Sequence, residues 1–135
     1  MERFLGRYSS YIYALLRIVA GLLLLMHGTQ KLVGWPLALP MPASTMTNAI
    51  GVFEIVAGIL IMIGLFASVP AFIASGMLAV GYFMVHQPMG AWPIQNGGEP
   101  AVLLCFVYLY IAASGSGPLS LDALWRGNVS TAADV

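Results

Sequence analysis

The stretch from Arg17 to Gly34, RIVAGLLLLMHGTQKLVG, sets the terms for the whole chain. It is apolar enough to enter a bilayer, yet it carries Arg17, His27, Gln30 and Lys31. Ionisable groups at membrane depth are costly and need partners or water. Candidate partners stand in or beside the other apolar runs: Glu54, His86 and Glu99. The sequence therefore reads as a small membrane bundle built around a polar set. Charge content agrees. Only 7% of the 135 residues are charged and 60% are hydrophobic, whereas about a quarter of a soluble domain is charged. So few charges cannot cover a water-facing surface. A net charge of zero gives no pointer to nucleic acid. The single cysteine, Cys105, excludes an intrachain disulfide and a CxxC thiol relay.

Four apolar runs predict an all-α fold: a four-helix transmembrane bundle forming one domain over residues 1–135, with spans at roughly 10–33, 47–66, 70–87 and 99–115. Each is long enough for a hydrocarbon core of about 30 Å. The first is too long for a signal-peptide core and reads as a retained helix. Arg3 and Arg7 lie in a short amphipathic lead-in, and Tyr8, Tyr11 and Tyr13 suit the aromatic belt. Pro36, Pro40 and Pro42 make residues 34–46 a loop, with Trp35 as an interfacial anchor. Ala67 to Pro70 read as a tight turn. Residues 87–98, rich in proline and glycine, fold back as a cap or form a plain interfacial turn. From Ser116 onward the chain reads as a tail with Asp122 and Arg126 and a disordered polar end. Four spans put both termini on one side. Arg3, Arg7 and Arg126 flank that side and the long loops carry no Lys or Arg, so both termini are expected to be cytoplasmic.

Helical periodicity places Arg17, Gly21, Leu24, Gly28 and Lys31 on one stripe, with His27 at its edge. Gly51, Glu54 and Gly58 share a second face; Ser75, Ala79, Tyr82 and His86 a third; Glu99, Leu103, Phe106 and Tyr110 a fourth. In the first two faces, small residues beside the charges imply surfaces that meet other helices. Cys105 points elsewhere and reads as a packing residue. With this topology, His27, Lys31, Glu54, His86, Asn96 and Glu99 fall in the outer half of the bundle, where they are the candidate ligand-binding residues. Arg17 sits alone in the inner half as a structural charge. Lys31 and Arg17 read alternatively as snorkelling residues, Glu99 as a helix-dipole partner, and the whole set as charges that balance one another. A quinone headgroup needs a donor at each carbonyl and a proton route, which His, Tyr, Lys and Glu supply. A metal, or a haem held by His27 and His86, is the weaker reading, and no spacing motif marks a metal site. Arg17 and Lys31 also suit an anionic small molecule.

The combined pattern resembles the DoxX family of four-helix bacterial membrane proteins over about residues 13–125. It runs R-x3-G-x5-HG-x2-K from Arg17 to Lys31, G-x2-E-x3-G around Glu54, H-x5-WP-x2-NGGE from His86 to Glu99, and G-x-G-x-LSLD from Gly115 to Asp122. The resemblance implies a multi-pass protein of the bacterial cytoplasmic membrane. Its namesake is a membrane subunit of an archaeal thiosulfate:quinone oxidoreductase, and some members are linked to oxidoreductase complexes handling thiol and oxidative stress. The resemblance thus implies a membrane subunit of a quinone-linked or oxidative-stress redox system, more a subunit than an independent enzyme. Arg17, His27, Lys31, Glu54, His86, Asn96 and Glu99 match the recurrent polar positions. Expected partners are the lipid bilayer, a redox subunit and further copies of the chain. The alternatives are a non-enzymatic scaffold or assembly partner, and a small transporter that would need an oligomer to enclose a pore.

Overall fold

The computed structural model describes residues 4–38 and 44–132; Arg3, Pro40 and Pro42 of the sequence reading lie outside them. Six α-helices follow one another among the described residues: α1 (Ser9–Val33), α2 (Thr45–Ile63), α3 (Ser68–Gly81), the single-turn α4 (Pro93–Asn96), α5 (Glu99–Ser114) and α6 (Leu121–Ala132). No strand occurs among them. A π turn, Tyr82–His86, and a 3-10 turn, Gln87–Met89, extend α3. Among the described residues, three helical stretches are long and apolar enough to cross a bilayer: Gly6–Val33, Thr45–Ile63 and Ser68–Met89. The fourth apolar helix, α5, has 16 residues, or about 24 Å of helix rise.

Polarity is arranged inside out. Arg17, Glu54, Ser75 and Asn96 are buried, while Leu15, Val19, Val56, Phe72, Val80, Phe83 and Leu103 are exposed. The core is small-residued, with Ala20, Ala57, Ala71 and Ala74 around Leu24, Ile61, Tyr108 and Ile111. Small residues let helices approach where lipid supplies no hydrophobic drive. The closest pair is α1 with α2. A methyl on Gly21 would lie 2.7 Å from the Gly58 carbonyl oxygen, and one on Gly28 would lie 2.7 Å from that of Gly51. The other close pair is α3 with α5, and α2 adjoins α3. Ser75 donates to the Cys105 carbonyl at 2.8 Å, so Cys105 packs against α3. Tyr108 donates its buried hydroxyl to the Ala20 carbonyl at 2.8 Å, tying α5 to α1.

Three expectations are corrected. Glu99, Leu103, Phe106 and Tyr110 do share a face of α5, but it points outward and takes Glu99 away from the polar set it was expected to join; Leu104, Tyr108 and Ile111 face the core. The turn between α2 and α3 is Gly64–Ala67, and α3 begins at Ser68, because Gly64 caps α2 in the left-handed region (φ 68°). The polar end expected to be disordered is helical as far as Ala132, its last residues lying outside the described ones: α6 runs Leu121–Ala132, and Ser120 caps it by accepting from the Ala123 N–H at 3.1 Å.

The tail also latches onto the bundle. Arg17 is fully buried and does not snorkel. Its Nη1 donates to the Ile61 and Met62 carbonyls at 2.7 and 2.9 Å, and its Nη2 to the Leu119 carbonyl at 2.7 Å. The first two lie at the end of α2, where the dipole is negative; the Ile61 carbonyl also accepts from the Gly64 N–H at 3.2 Å. Asp122 Oδ2 accepts from the Ser116 hydroxyl at 2.6 Å and from the Phe66 N–H at 2.9 Å. Phe66 needs that anchor, since its φ of 48° lies where non-glycine residues are strained. Asp122→Ala strands both donors and is expected to cost about 1–3 kcal/mol. A thermal unfolding midpoint equal to that of the parent protein in detergent would show the latch to be dispensable.

Candidate functional site

The opposite end of the bundle gathers the remaining polar groups. Gly51 lets α1 and α2 touch: a methyl there would meet the Lys31 Cβ at 3.2 Å. Lys31 can therefore cross to α2, and its Nζ lies 2.8 Å from both carboxylate oxygens of Glu54. Glu54 is 5% exposed. This is the one salt bridge found among the described residues.

The π turn brings in a second pair. Tyr82 and His86 stack with ring centroids 6.1 Å apart and planes 21° apart. The His86 Nδ1 lies 3.1 Å from the Asn96 carbonyl oxygen. A carbonyl only accepts, so the Nδ1–H donates and Nε2 is the ring nitrogen left for another partner. Asn96 is buried and acts as a hub. Its side-chain amide donates to the Tyr82 hydroxyl at 3.1 Å and to the Gly90 carbonyl at 2.9 Å, and its Oδ1 accepts from the Gly98 N–H at 2.8 Å. Since the Tyr82 oxygen accepts from Asn96, its own proton is free for another acceptor. A side chain on Gly98 would strike the Tyr82 ring. The Asn-Gly-Gly run thus has a mechanical basis: Asn96 as hub, Gly97 at φ 66° capping α4, and Gly98 under the ring.

These groups border one cavity of about 310 Å³. Lys31, Glu54, Tyr82 and His86 form its polar side; Ile50, Met77, Leu78, Val85 and Ala101 form its apolar wall. Of the residues singled out in the sequence, Lys31, Glu54 and His86 line it, and Asn96 supports it from behind. His27 and Glu99 do not join them. His27 is exposed on the outside of α1, and Glu99 is exposed at the start of α5, beside a separate depression. A haem held between His27 and His86 therefore lacks a common slot. Among the described residues, no three His, Cys, Asp or Glu side chains cluster as a metal site would require. Tyr82 was not singled out, although its four-residue spacing from His86 on the same stripe carried the signal.

A bundle of apolar helices with its charges turned inward and its hydrophobic side chains turned outward is an integral membrane protein. The DoxX family profile matches residues 12–87. A protein of Haemophilus influenzae described as uncharacterized is 38% identical over 125 residues, covering 87% of this chain and 93% of its own length. The chain belongs to the DoxX family. No solved structure matches it at a significant level.

Proposed function

We propose that this chain is a membrane subunit of a redox system that holds a quinone-type headgroup in the Lys31–Glu54–His86 cavity. In this reading it is a single domain that crosses the bacterial cytoplasmic membrane four times, with α5 as the shortest span and both termini inside. Arg7 and Arg126 then flank the cytoplasmic side and the cavity lies in the outer half. The observation that supports the reading is the composition of the cavity: one apolar wall facing a lysine, a tyrosine hydroxyl with an uncommitted proton, and a histidine with a free Nε2. A planar headgroup lies against Met77, Leu78 and Val85. Lys31 and Tyr82 donate to its carbonyl oxygens, Glu54 sets the charge beside Lys31, and His86 Nε2 takes up or returns a proton. Asn96 is a positioning residue.

Quinone released from the protein in mild detergent, measured by native mass spectrometry, tests this. His86→Ala is expected to lower quinone occupancy about tenfold or more; it also removes the donor to the Asn96 carbonyl and so lowers stability modestly, by about 1 kcal/mol. Lys31→Met or Glu54→Leu alone leaves a buried charge without its partner and is expected to cost about 3–5 kcal/mol. The double variant is expected to recover most of that stability without recovering the quinone. A double variant that still bound quinone would end the proposal.

One observation favours a second reading, a non-enzymatic scaffold or assembly partner. Lys31 and Glu54 already satisfy each other with no ligand present. On that reading no variant changes ligand content, and the single variants lose a co-purifying subunit together with stability.

A further inference from the structure

His27 and Glu99 are left unused by the cavity. Both are exposed, and among the described residues neither side chain has a hydrogen bond or ion pair within the chain. They stand at one level. The Tyr13 hydroxyl of α1 donates to the Gly115 carbonyl, just beyond the end of α5, and the Tyr108 hydroxyl of α5 donates to the Ala20 carbonyl. Counting along this antiparallel pair from those two anchors brings His27 opposite the first turn of α5, where Glu99 lies, within about one turn or ~5 Å. The two helices meet at few points. A groove of about 350 Å³ runs between Ile12 and Leu16 on one side and Tyr110 on the other. Leu23, Leu103 and Phe106 continue the exposed apolar surface.

We infer that this α1–α5 face receives a second copy of the chain, with His27 of each copy against Glu99 of the partner subunit. The argument is one of symmetry and charge. Copies in a bilayer share one orientation, so a two-fold axis relating them runs along the membrane normal. Such an axis preserves depth and exchanges left for right across the shared face. The flank bearing His27 therefore meets the flank bearing Glu99 of the partner subunit, and the pairing occurs twice. Equal depth and opposite chemistry are the two conditions for this, and both residues meet them. Without a second copy, the His27 imidazole faces lipid about 9 Å below the end of α1. The inference rests on the four-span topology proposed above and is independent of what the cavity binds.

Cross-linking tests it. In a Cys105→Ser background, copies carrying His27→Cys are co-expressed with differently tagged copies carrying Glu99→Cys and oxidised in native membranes. The expected product is the 27–99 linked pair, several-fold in excess of the 27–27 and 99–99 pairs. Dominance of either like pair, or no linked product, overturns the inference. As a second measurement, dimer dissociation in lipid nanodiscs is expected to weaken about tenfold for His27→Ala and for Glu99→Ala. The exchanged variant His27→Glu/Glu99→His is expected to return most of that loss. Single variants that dimerise like the parent chain also overturn it. A reporter fused to the C terminus separates the two claims. A terminus found outside refutes the topology, whereas a terminus inside with no 27–99 product refutes the interface alone.

Discussion

Arg17→Met is expected to be the most destabilising single substitution in the chain. The guanidinium is fully buried and supplies the Ile61, Met62 and Leu119 carbonyls with donors. Methionine fills much of the volume and donates nothing. Three carbonyl groups lose a charged donor in a place that water reaches poorly, and each such loss costs about 1–3 kcal/mol. The expected total is on the order of 3–6 kcal/mol, read from reversible unfolding in bicelles. Arg17→Lys should recover only part of it. A single ammonium cannot reach the end of α2 and the Leu119 carbonyl together, whereas the planar fork of arginine does both. The Ile61 carbonyl keeps the Gly64 N–H, so most of the loss is expected from Met62 and Leu119; a loss below about 1 kcal/mol for Arg17→Met would mean that other donors serve these two as well.

The second large effect is expected at the α1–α2 crossing. A Cβ on Gly58 would lie 2.7 Å from both the Gly21 carbonyl oxygen and the Leu25 amide nitrogen. These are backbone atoms, so relief requires moving one helix against the other. Gly58→Val is expected to cost about 3 kcal/mol or more. It should also disturb the Lys31–Glu54 pair, whose reach depends on the same close approach, and with it the quinone retention proposed above. Gly76→Ala is the control. A methyl there meets nothing within 4 Å, and alanine favours a helix over glycine by about 1 kcal/mol. It should be neutral or stabilising. If both variants unfolded alike, the close glycine contact would not be the cause.

Much of the site's parts list was legible in the residues, and its assembly was not. The stripe of Arg17, Gly21, Leu24 and Gly28 emerged from periodicity, and the structure buries all four. Gly51, Glu54 and Gly58 followed in the same way. Lys31, Glu54 and His86 share a cavity, while His27, at the edge of its stripe, lies outside it. An edge residue turns inward or outward according to the neighbour beside it. The helix next to that edge is α5, which barely touches α1. Glu99 had the right depth and the wrong azimuth, because Tyr108 and Ile111 fix the inward face of α5. Tyr82 became prominent only in the tertiary structure, where it stands in a π turn and its hydroxyl accepts from Asn96 across the following loop.

The sequence by itself determined a bundle of apolar helices, joined through small-residue faces, with ionisable groups too deep to be left alone. Those properties follow from composition and from a period of about 3.6 residues, both of which are local. Only the tertiary structure decided which partner each ionisable group takes. Lys31 found a carboxylate, whereas Arg17 found main-chain carbonyls. Every residue carries a carbonyl, so the sequence holds no mark of the ones a buried guanidinium will meet. That choice is fixed where α2 ends, where Gly64 turns the chain, and where the segment before α6 folds back to meet them.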